Sequence, residues 1–362
     1  MNRAGKAVSL LGAVVLAQVF GLVVDAQRGA QPAPLSPAPA TGIGRDAQGR
    51  LLPFGVPAYF TPDTPLGTGP YQAIMATDPS LPEHVLYYPK DLAAAGRMPI
   101  MVWANGSCMH AGNRSRGFLT EIASHGILVI SAGRMGHVSL EVGAQENPFV
   151  ARPGGPPAPP PAPPVENDPS EPLRSARSTV DHLRQAMDWA ISQNSRQGSP
   201  FFNRLVVTQI GAGGQSCGGG LVTTLGADPR LKTVGIFHSG TRLVSSPGRE
   251  INAEQAAQGR QRLDAMHTPT IIITGDENLD IAYSGGHDTF NYLKVPVFHA
   301  WQENLGHVGT YGLPNGGPLG RIASAWYSWQ LKGDREAGRM FTGASCTLCK
   351  EPTWHVQKKK IE

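Results

Sequence analysis

Short apolar runs rich in β-branched residues recur along the chain and alternate with stretches whose apolar residues have helical spacing. The runs predict strands at residues 84–89, 98–103, 126–131, 205–210, 233–237, 269–275 and 295–300. The intervening pattern predicts helices at residues 118–125, 178–197, 221–226 and 322–331. The alternation predicts an α/β fold with a mostly parallel central sheet and helices on both faces.

Several stretches do not follow this alternation. Residues 27–65 are rich in Pro, Ala and Gly, and they predict a disordered leader before a folded domain at 66–355. The proline-dense run 152–172 predicts a surface insertion in that domain, with a recognition ligand as the alternative. The polar residues 241–266 predict only a small cap or a surface helix. Residues 356–362 include consecutive lysines and predict a basic, solvated tail.

The N-terminus carries a targeting pattern. Arg3 and Lys6 precede an apolar run, residues 7–24, which is followed closely by Ala26. A positive start, an apolar centre and a small-residue end predict a signal peptide at 1–26. A membrane anchor is the alternative, because the run approaches spanning length. Glycine and polar residues weaken the run and favour cleavage, so we expect a secreted or periplasmic protein without a stable membrane span.

Composition and charge narrow the class of protein. The chain has 362 residues, of which 40% are apolar and 16% charged, and this fits a globular protein with a sizeable core. Its formal net charge of +4 is small and scattered, so we expect no nucleic-acid partner. Export permits disulfides, and the four cysteines allow three pairings, among which the spacing does not choose.

One predicted strand leads into a motif that carries chemistry. After the apolar run 205–210 the chain has Gly214-x-Ser216-x-Gly218, followed by a segment that can be helical. A serine on a strand-to-helix turn has strained dihedral angles and needs very small neighbours, and the turn raises its hydroxyl above the sheet. An ordinary glycine-rich turn is the alternative. A nucleotide-binding loop is less favoured, because Ser216 replaces its third glycine. This context predicts Ser216 as a nucleophile.

A serine nucleophile needs a base and an orienting acid. His307 follows the last predicted strand in a glycine-flanked loop, and Asp280 follows the strand before it, in the chain order Ser, Asp, His that accompanies this motif. His307 is therefore predicted as the base and Asp280 as the acid. His299 lies inside a strand, which favours a core role, and Asp276 follows its strand so directly that a turn role is favoured. His238 lies at a strand end and is expected near the site.

Two backbone N–H groups are candidates for stabilising an oxyanion. One belongs to Cys217, which follows the nucleophile, and the other belongs to Ser107 in the turn after the strand 98–103. An ordinary Asn-Gly turn is the alternative for Ser107. Trp103 and Tyr283 are predicted to line a substrate pocket, with core or rim packing as the alternative.

These motifs resemble those of a known family. The resemblance is carried by Gly69-Pro70-Tyr71, Tyr87-Tyr88-Pro89, Gly214-Gln215-Ser216-Cys217-Gly218-Gly219, Asp280-Ile281-Ala282 and Gly306-His307. From about Gly69 to Trp354 the chain resembles a secreted α/β-hydrolase of the group that contains cutinase-like polyester hydrolases, chlorophyllases and dienelactone-hydrolase-like esterases. Two features depart from the cutinase-like pattern: the oxyanion loop lacks its aromatic residue, and Tyr283 replaces a proline.

The resemblance implies ester hydrolysis by Ser216, His307 and Asp280 through an acyl-enzyme intermediate, with no cofactor and no metal. The implied partner is a small-molecule or polymeric ester. A small cap leaves an open site, which suits polysaccharide-linked, aryl or polyester substrates. The alternatives are an amide or lactone hydrolase, and a noncatalytic binding protein that keeps the fold.

The cysteines fall in two pairs when they are placed on the fold that the resemblance implies. Cys108 and Cys217 lie on the loops expected to bracket the oxyanion site, and we predict a disulfide between them, with two reduced cysteines as the alternative. Cys217 as the nucleophile is a lesser alternative. Cys346 and Cys349 have no second pair that would complete a zinc site, so a local disulfide that pins the C-terminus is predicted.

Overall fold

The apolar runs form a single sheet in the computed structural model, which describes residues 67–135, 176–245 and 249–362. The strands are β1 (Ala73–Ala76), β2 (His84–Pro89), β3 (Met98–Ala104), β4 (Leu128–Ala132), β5 (Leu205–Gln215), β6 (Leu231–Phe237), β7 (Thr270–Thr274), β8 (Val297–Gln302) and β9 (Trp354–Lys359). Within the described ranges these nine strands pair in the order β1-β2-β4-β3-β5-β6-β7-β8-β9. The strands from β4 to β8 in this order are parallel, whereas β1, β2 and β9 are antiparallel to their neighbours.

Helices cover both faces of this sheet. They are α1 (Leu92–Ala95), α2 (Arg116–Ser124), α3 (Val180–Ser195), α4 (Cys217–Leu225), α5 (Ala253–Asp264), α6 (Tyr283–Tyr292), α7 (Gly317–Lys332) and α8 (Arg335–Gly338). Apolar residues of α2 and α7 pack in one core cluster, and those of α3, α4, α5 and α6 pack in the other. The predicted α/β class, with a mostly parallel sheet between helical layers, is confirmed.

β3 illustrates how the strand pattern builds the two cores. Met101 and Trp103 belong to one cluster, and Ile100 and Val102 belong to the other. Successive strand residues point to opposite faces, so a strand with helices on both sides needs apolar residues at every position. All of these side chains are fully buried. The continuous apolar run in the sequence thus reflects two helical layers.

The sequence pattern does not predict β1, β9 or α6. β1 and β9 lie at the two edges of the sheet, and only part of each strand is buried. α6 contains Gly285 and Gly286, which lower its helix propensity. A Cβ on Gly286 would lie 2.7 Å from the side chain of Thr274 in β7. The glycine that argues against a helix in the sequence therefore allows that helix to pack closely on the sheet.

The C-terminal residues form an edge strand, and the basic tail predicted at 356–362 is wrong. Every residue of β9 pairs with β8. The lysines suit this position, because charges on an edge strand discourage pairing with another chain. Nζ of Lys359 also donates to the backbone carbonyl of Phe290 in the last turn of α6, where the helix dipole favours a cation.

The predicted local disulfide between Cys346 and Cys349 is present. It lies in the segment before β9, and Cys346 is buried in the core. Residues 253–264 form the helix α5, within the region where a small cap or a surface helix is predicted, and most of its side chains are exposed.

Several predictions concern residues that lie outside the described ranges. These are the signal peptide at 1–26, the disordered leader at 27–65 and the proline-rich insertion at 152–172. In the three described segments, no helix combines the length and the apolar character needed to cross a bilayer.

A chain that ends at Thr353 should be clearly less stable than the full chain, because it loses β9 and uncovers the edge of β8. Trp354 and Ile361, which are 5% and 8% exposed, are lost from the core as well. We expect Tm to fall by about 10 °C, since a loss of about 3 kcal/mol or more lowers Tm by several degrees in a chain of this size. Thermal unfolding followed by circular dichroism measures the shift. Deletion of the exposed Glu362 alone is the control, and an unchanged Tm after the larger deletion would restore the tail interpretation.

Candidate functional site

The carboxyl ends of the parallel strands gather the chemically active side chains. Ser216 follows β5, Asp280 follows β7 and His307 follows β8. In an open parallel sheet, the loops beyond these strand ends lie at one edge and form the usual ligand site. The side chains meet there although Ser216 and His307 are 91 residues apart in the sequence.

Ser216 lies in a tight turn between β5 and α4. Its φ of 53° and ψ of −120° are strained, and its N–H donates to the carbonyl of Phe237 at 3.0 Å. A Cβ on Gly214 would lie 2.3 Å from the carbonyl oxygen of Gly218, and one on Gly218 would lie 2.1 Å from that of Ala104. Any side chain at either position would clash with backbone. Both glycines of the motif are therefore required by the close approach of β5, α4 and the end of β3.

A row of hydrogen bonds joins the three side chains. The hydroxyl oxygen of Ser216 lies 2.8 Å from Nε2 of His307, and Nδ1 of His307 lies 2.7 Å from Oδ1 of Asp280. Asp280 is 3% exposed, and its carboxylate also accepts the N–H groups of Gly275 and Ala282. These donors fix the carboxylate, which in turn directs Nε2 of the imidazole toward the serine.

Burial and hydrogen bonding act in opposite directions on the pKa of Asp280. Burial raises this pKa, whereas the hydrogen bond from His307, the nearby His238 and the N–H of Gly275 lower it. The resulting pKa lies below the usual aspartate value, so the carboxylate stays charged. A buried carboxylate on Nδ1 fixes the imidazole tautomer and stabilises a positive ring, so Nε2 is able to accept a proton from Ser216.

The competing acids and histidines have other partners. Asp276 accepts the N–H groups of Asn278 and Asn304, which is the turn role favoured by the sequence. His299 is fully buried, and its ring nitrogens are bonded to a threonine and a glutamine side chain, as expected of a core histidine. Both ring nitrogens of His110 are bonded too, to a serine and a glutamate.

The turn after β3 is held against the turn between β5 and α4. Asn105 accepts a hydrogen bond from the indole of Trp103 and donates one to the carbonyl of Ala111, each at 2.9 Å. The predicted disulfide between Cys108 and Cys217 is present, and it holds the two Cα atoms 5.1 Å apart. The polar network fixes one loop, and the disulfide joins it to the start of α4.

The N–H groups of Ser107 and Cys217 donate no hydrogen bond to another described residue, and Cys217 also lines one of the nearby cavities. Ser107 has a φ of 56° and Cys108 has one of 48°, so two successive residues lie in the region that favours glycine. Such strain persists where surrounding contacts enforce it. Here the contacts are the disulfide and Arg177, which donates to the Ser107 carbonyl at 2.8 Å.

Two cavities adjoin the Ser216 turn. The smaller has a volume of about 170 Å³, and its wall contains Ser216 and His307. The larger has a volume of about 410 Å³ and is lined by the nearby disulfide and by α5. Arg242 lines both cavities, and Arg249 lines the smaller one. The sequence pattern does not predict either arginine. Arg242 nevertheless lies in residues 238–245, which follow β6 and so share the edge where the other strand ends meet.

The aromatic residues predicted to line a pocket lie elsewhere. Trp103 is fully buried in the core, and its ring centroid lies 5.0 Å from that of Phe118. Tyr283 is the first residue of α6 and packs on the rings of His287 and Trp301. Neither residue lines either cavity. The packing alternative therefore describes both of them.

His238 lies beside the row of hydrogen bonds without taking part in it. Its ring centroid is 6.4 Å from that of His307, and its Nδ1 is 3.1 Å from the hydroxyl of Tyr311. The residue is fully buried, and burial lowers its pKa to about 4. The ring is therefore neutral near pH 7 and adds no positive charge beside His307.

No protein-family model matches the chain, and a search of the curated proteins finds no match. Among residues 67–135, 176–245 and 249–362, no group of three or more His, Cys, Asp or Glu side chains is arranged to hold a metal ion. The groups that offer chemistry at the strand ends are a hydroxyl, an imidazole, a carboxylate and two guanidinium groups.

The buried, neutral His238 should make folding stability fall as the pH drops below 6.5. The unfolded chain binds this proton near pH 6.5, whereas the folded chain binds it only near pH 4, so acid favours unfolding between these values. For this residue the expected loss from pH 7 to pH 5 is about 2 kcal/mol. Urea unfolding at both pH values measures it, and His238→Gln should lose about 2 kcal/mol less than the wild type.

Other buried histidines also make the folded state less stable at low pH. The effect of His238 is therefore obtained by comparing the wild type with His238→Gln. Burial lowers the pKa of His84 to about 4 and that of His299 well below its usual value. Replacement of the exposed His267 by Gln is the control. Equal pH dependence in the wild type and in His238→Gln would contradict the assignment.

Proposed function

We propose that this protein is a serine esterase in which Ser216, His307 and Asp280 form a catalytic triad and hydrolyse carboxylic esters. The observation that carries the proposal is the continuous row of hydrogen bonds from the strained Ser216 turn to a buried carboxylate. A nucleophile, a base and an orienting acid within hydrogen-bond distance of one another are typical of nucleophilic catalysis. An ordinary glycine-rich turn does not require this row.

Acylation begins when the Ser216 hydroxyl oxygen attacks the ester carbonyl carbon. Nε2 of His307 takes the hydroxyl proton as the new C–O bond forms, and the carbonyl π electrons move onto oxygen. Asp280 stabilises the imidazolium and does not itself take the proton. When the tetrahedral intermediate collapses, the alcohol leaves with the proton from Nε2, and the acyl group stays on Ser216.

Deacylation repeats these steps with water. Nε2 of His307 takes a proton from a water molecule whose oxygen attacks the acyl carbon. The Ser216 oxygen then leaves and takes the proton back, and the carboxylic acid is released. One ester and one water give one alcohol and one acid, so the reaction balances with no oxidant or reductant.

The backbone N–H groups of Ser107 and Cys217 are the proposed oxyanion donors. Both are free of hydrogen bonds to other described residues, and the disulfide joins the loops that carry them. Donors that are fixed in advance stabilise the charge of the transition state without reorganisation. Loss of one such donor typically costs about 10²–10³-fold in kcat.

The order of the functional loops supports assignment to the α/β-hydrolase fold. A nucleophile after β5, an acid after β7 and a histidine after β8 follow the Ser, Asp, His order of that fold. We also propose membership of the group that the motifs resemble, with cutinase-like polyester hydrolases, chlorophyllases and dienelactone-hydrolase-like esterases. The two disulfides fit an oxidising compartment and, with the signal-peptide pattern at 1–26, support a secreted or periplasmic location.

Hydrolysis of p-nitrophenyl esters with short and medium acyl chains tests the triad. Ser216→Ala should lower kcat by about 10⁴-fold or more, because it removes the nucleophile. Asp280→Asn should lower it by about 10³–10⁴-fold, because the amide favours the wrong tautomer of His307. The dependence of wild-type kcat/KM on acyl-chain length shows how long an acyl group the site accepts.

Ser195→Ala, which removes an exposed hydroxyl at the end of α3, is the matched control and should keep full activity. Equal activity in the wild type and in Ser216→Ala would remove Ser216 from its role. Absence of hydrolysis by a folded wild-type protein would favour the binding-protein alternative. Cleavage of amides or lactones alone would replace esters as the substrate class.

The two disulfides should have different effects on catalysis. Replacing Cys108 and Cys217 together by alanine releases the Ser107 loop from α4, so we expect kcat to fall by about 10- to 100-fold, near the effect of losing one oxyanion donor. The matched control replaces Cys346 and Cys349 by alanine and should leave kcat unchanged while lowering Tm. The measurement is kcat per folded protein at 25 °C. Equal kcat values for the two double variants would contradict this role.

A further inference from the structure

The walls of the two cavities beside Ser216 carry positive charge. Arg242 and Arg249 line the smaller cavity, and Arg242 and Arg262 line the larger one. Among the described residues, no aspartate or glutamate lines either cavity. The whole chain is nearly balanced, with 31 Lys and Arg against 27 Asp and Glu, so this excess of positive charge is a local property of the site.

Arg249 is attached to the loop that carries the acid of the proposed triad. Its Nη1 donates to the carbonyl of Ile281 at 2.8 Å. Ile281 lies between Asp280 and Ala282, and the N–H of Ala282 donates to the Asp280 carboxylate. Within the described part of the chain, Arg249 makes no ion pair, so its charge is available to a ligand.

Arg242 has an unsatisfied donor. Its Nε is buried and has no hydrogen-bond partner among the residues that the structure describes. Asp288 attracts Arg242 electrostatically, but its Oδ2 already accepts the N–H groups of Leu243 and Val244. Burial, together with the positive charge of Arg249, holds the pKa of Arg242 below its usual value. An unpaired cation in these surroundings gains stability when an anion binds.

We propose, on the basis of the esterase function proposed above, that the substrate is an ester that also carries a carboxylate, bound by Arg242 and Arg249 while Ser216 attacks the ester carbonyl. The guanidinium fork matches the two oxygens of a carboxylate. Charge-assisted hydrogen bonds to a fixed anion also hold the ester in one orientation, which favours attack.

The cavity walls indicate where the carboxylate lies. Both arginines line the cavity of about 170 Å³ that contains Ser216 and His307. The carboxylate and the ester that is cleaved therefore share one cavity. The cavity of about 410 Å³, which Arg242 also lines, accommodates the rest of the substrate.

Matched pairs of neutral and charged esters test the proposal. On the acyl side, p-nitrophenyl butyrate is paired with mono-p-nitrophenyl succinate, which has a carboxylate where the butyrate has a terminal methyl group. On the alcohol side, methyl p-acetoxybenzoate and p-acetoxybenzoate differ in the same charge. After subtraction of spontaneous hydrolysis, kcat/KM for the charged ester should exceed that for the neutral one by about 10- to 100-fold in at least one pair. This preference should shrink as the ionic strength rises.

Arginine variants show which groups produce the preference. Arg242→Gln and Arg249→Gln should each lower the charged-to-neutral ratio by about 10-fold or more. Each ratio is taken within one protein preparation, so a loss of folded protein cancels. The matched control is Arg260→Gln, which removes an exposed arginine of α5 that lines neither cavity and should keep the wild-type ratio.

A wild-type ratio near one in both pairs, or a ratio that survives both glutamine variants, would overturn the proposal. Failure of the esterase function gives a different result, because then no ester of either charge is hydrolysed. Calorimetric titration of Ser216→Ala with monomethyl succinate and dimethyl succinate decides in that case. Binding of the monoester alone, lost when Arg249→Gln is added, would support the carboxylate site, whereas equal binding or no binding would overturn it.

Discussion

The edge of the sheet that carries Ser216, Asp280 and His307 depends on how closely the backbone of α4 approaches the end of β3. A Cβ on Gly218 would lie 2.1 Å from the carbonyl oxygen of Ala104, so this contact exists only between glycine and backbone. The approach sets the strained dihedral angles of Ser216 and brings Cys217 to Cys108. Strain of this kind costs on the order of 1–3 kcal/mol, which the surrounding sheet, helix and disulfide offset.

The charges around the site are arranged in layers. Asp280 lies deepest and is held by hydrogen bonds from His307 and from backbone N–H groups. The neutral ring of His238 lies beside it and adds no positive charge next to His307. The guanidinium groups line the cavities instead. The buried anion therefore contacts the imidazole of His307, whereas the cations lie in the cavity walls.

Local signals in the sequence were enough to predict most of the sheet and the meeting of Ser216, Asp280 and His307. Apolar strands and small-residue turns are local features, and the order of parallel strands determines which loops converge. β9 gave no such signal, because an edge strand needs few buried residues and its lysines look like a tail. Arg242 gave none either, since a single charge in a polar segment has no periodicity. Trp103 is apolar, but its position in β3 directs it into a helix-packed core.

The disulfide at the site also changes how the chain is connected. Cys108 and Cys217 are 109 residues apart, and the interval between them contains the proline-dense run 152–172. A single peptide-bond cleavage in that run would produce two polypeptides, one ending after β4 and the other beginning before β5. The sulfur–sulfur bond would keep them as one covalent molecule, and β3 would still pair with β5 across the cut. A proteolytic cut in this interval would therefore leave every part of the site in one covalent molecule.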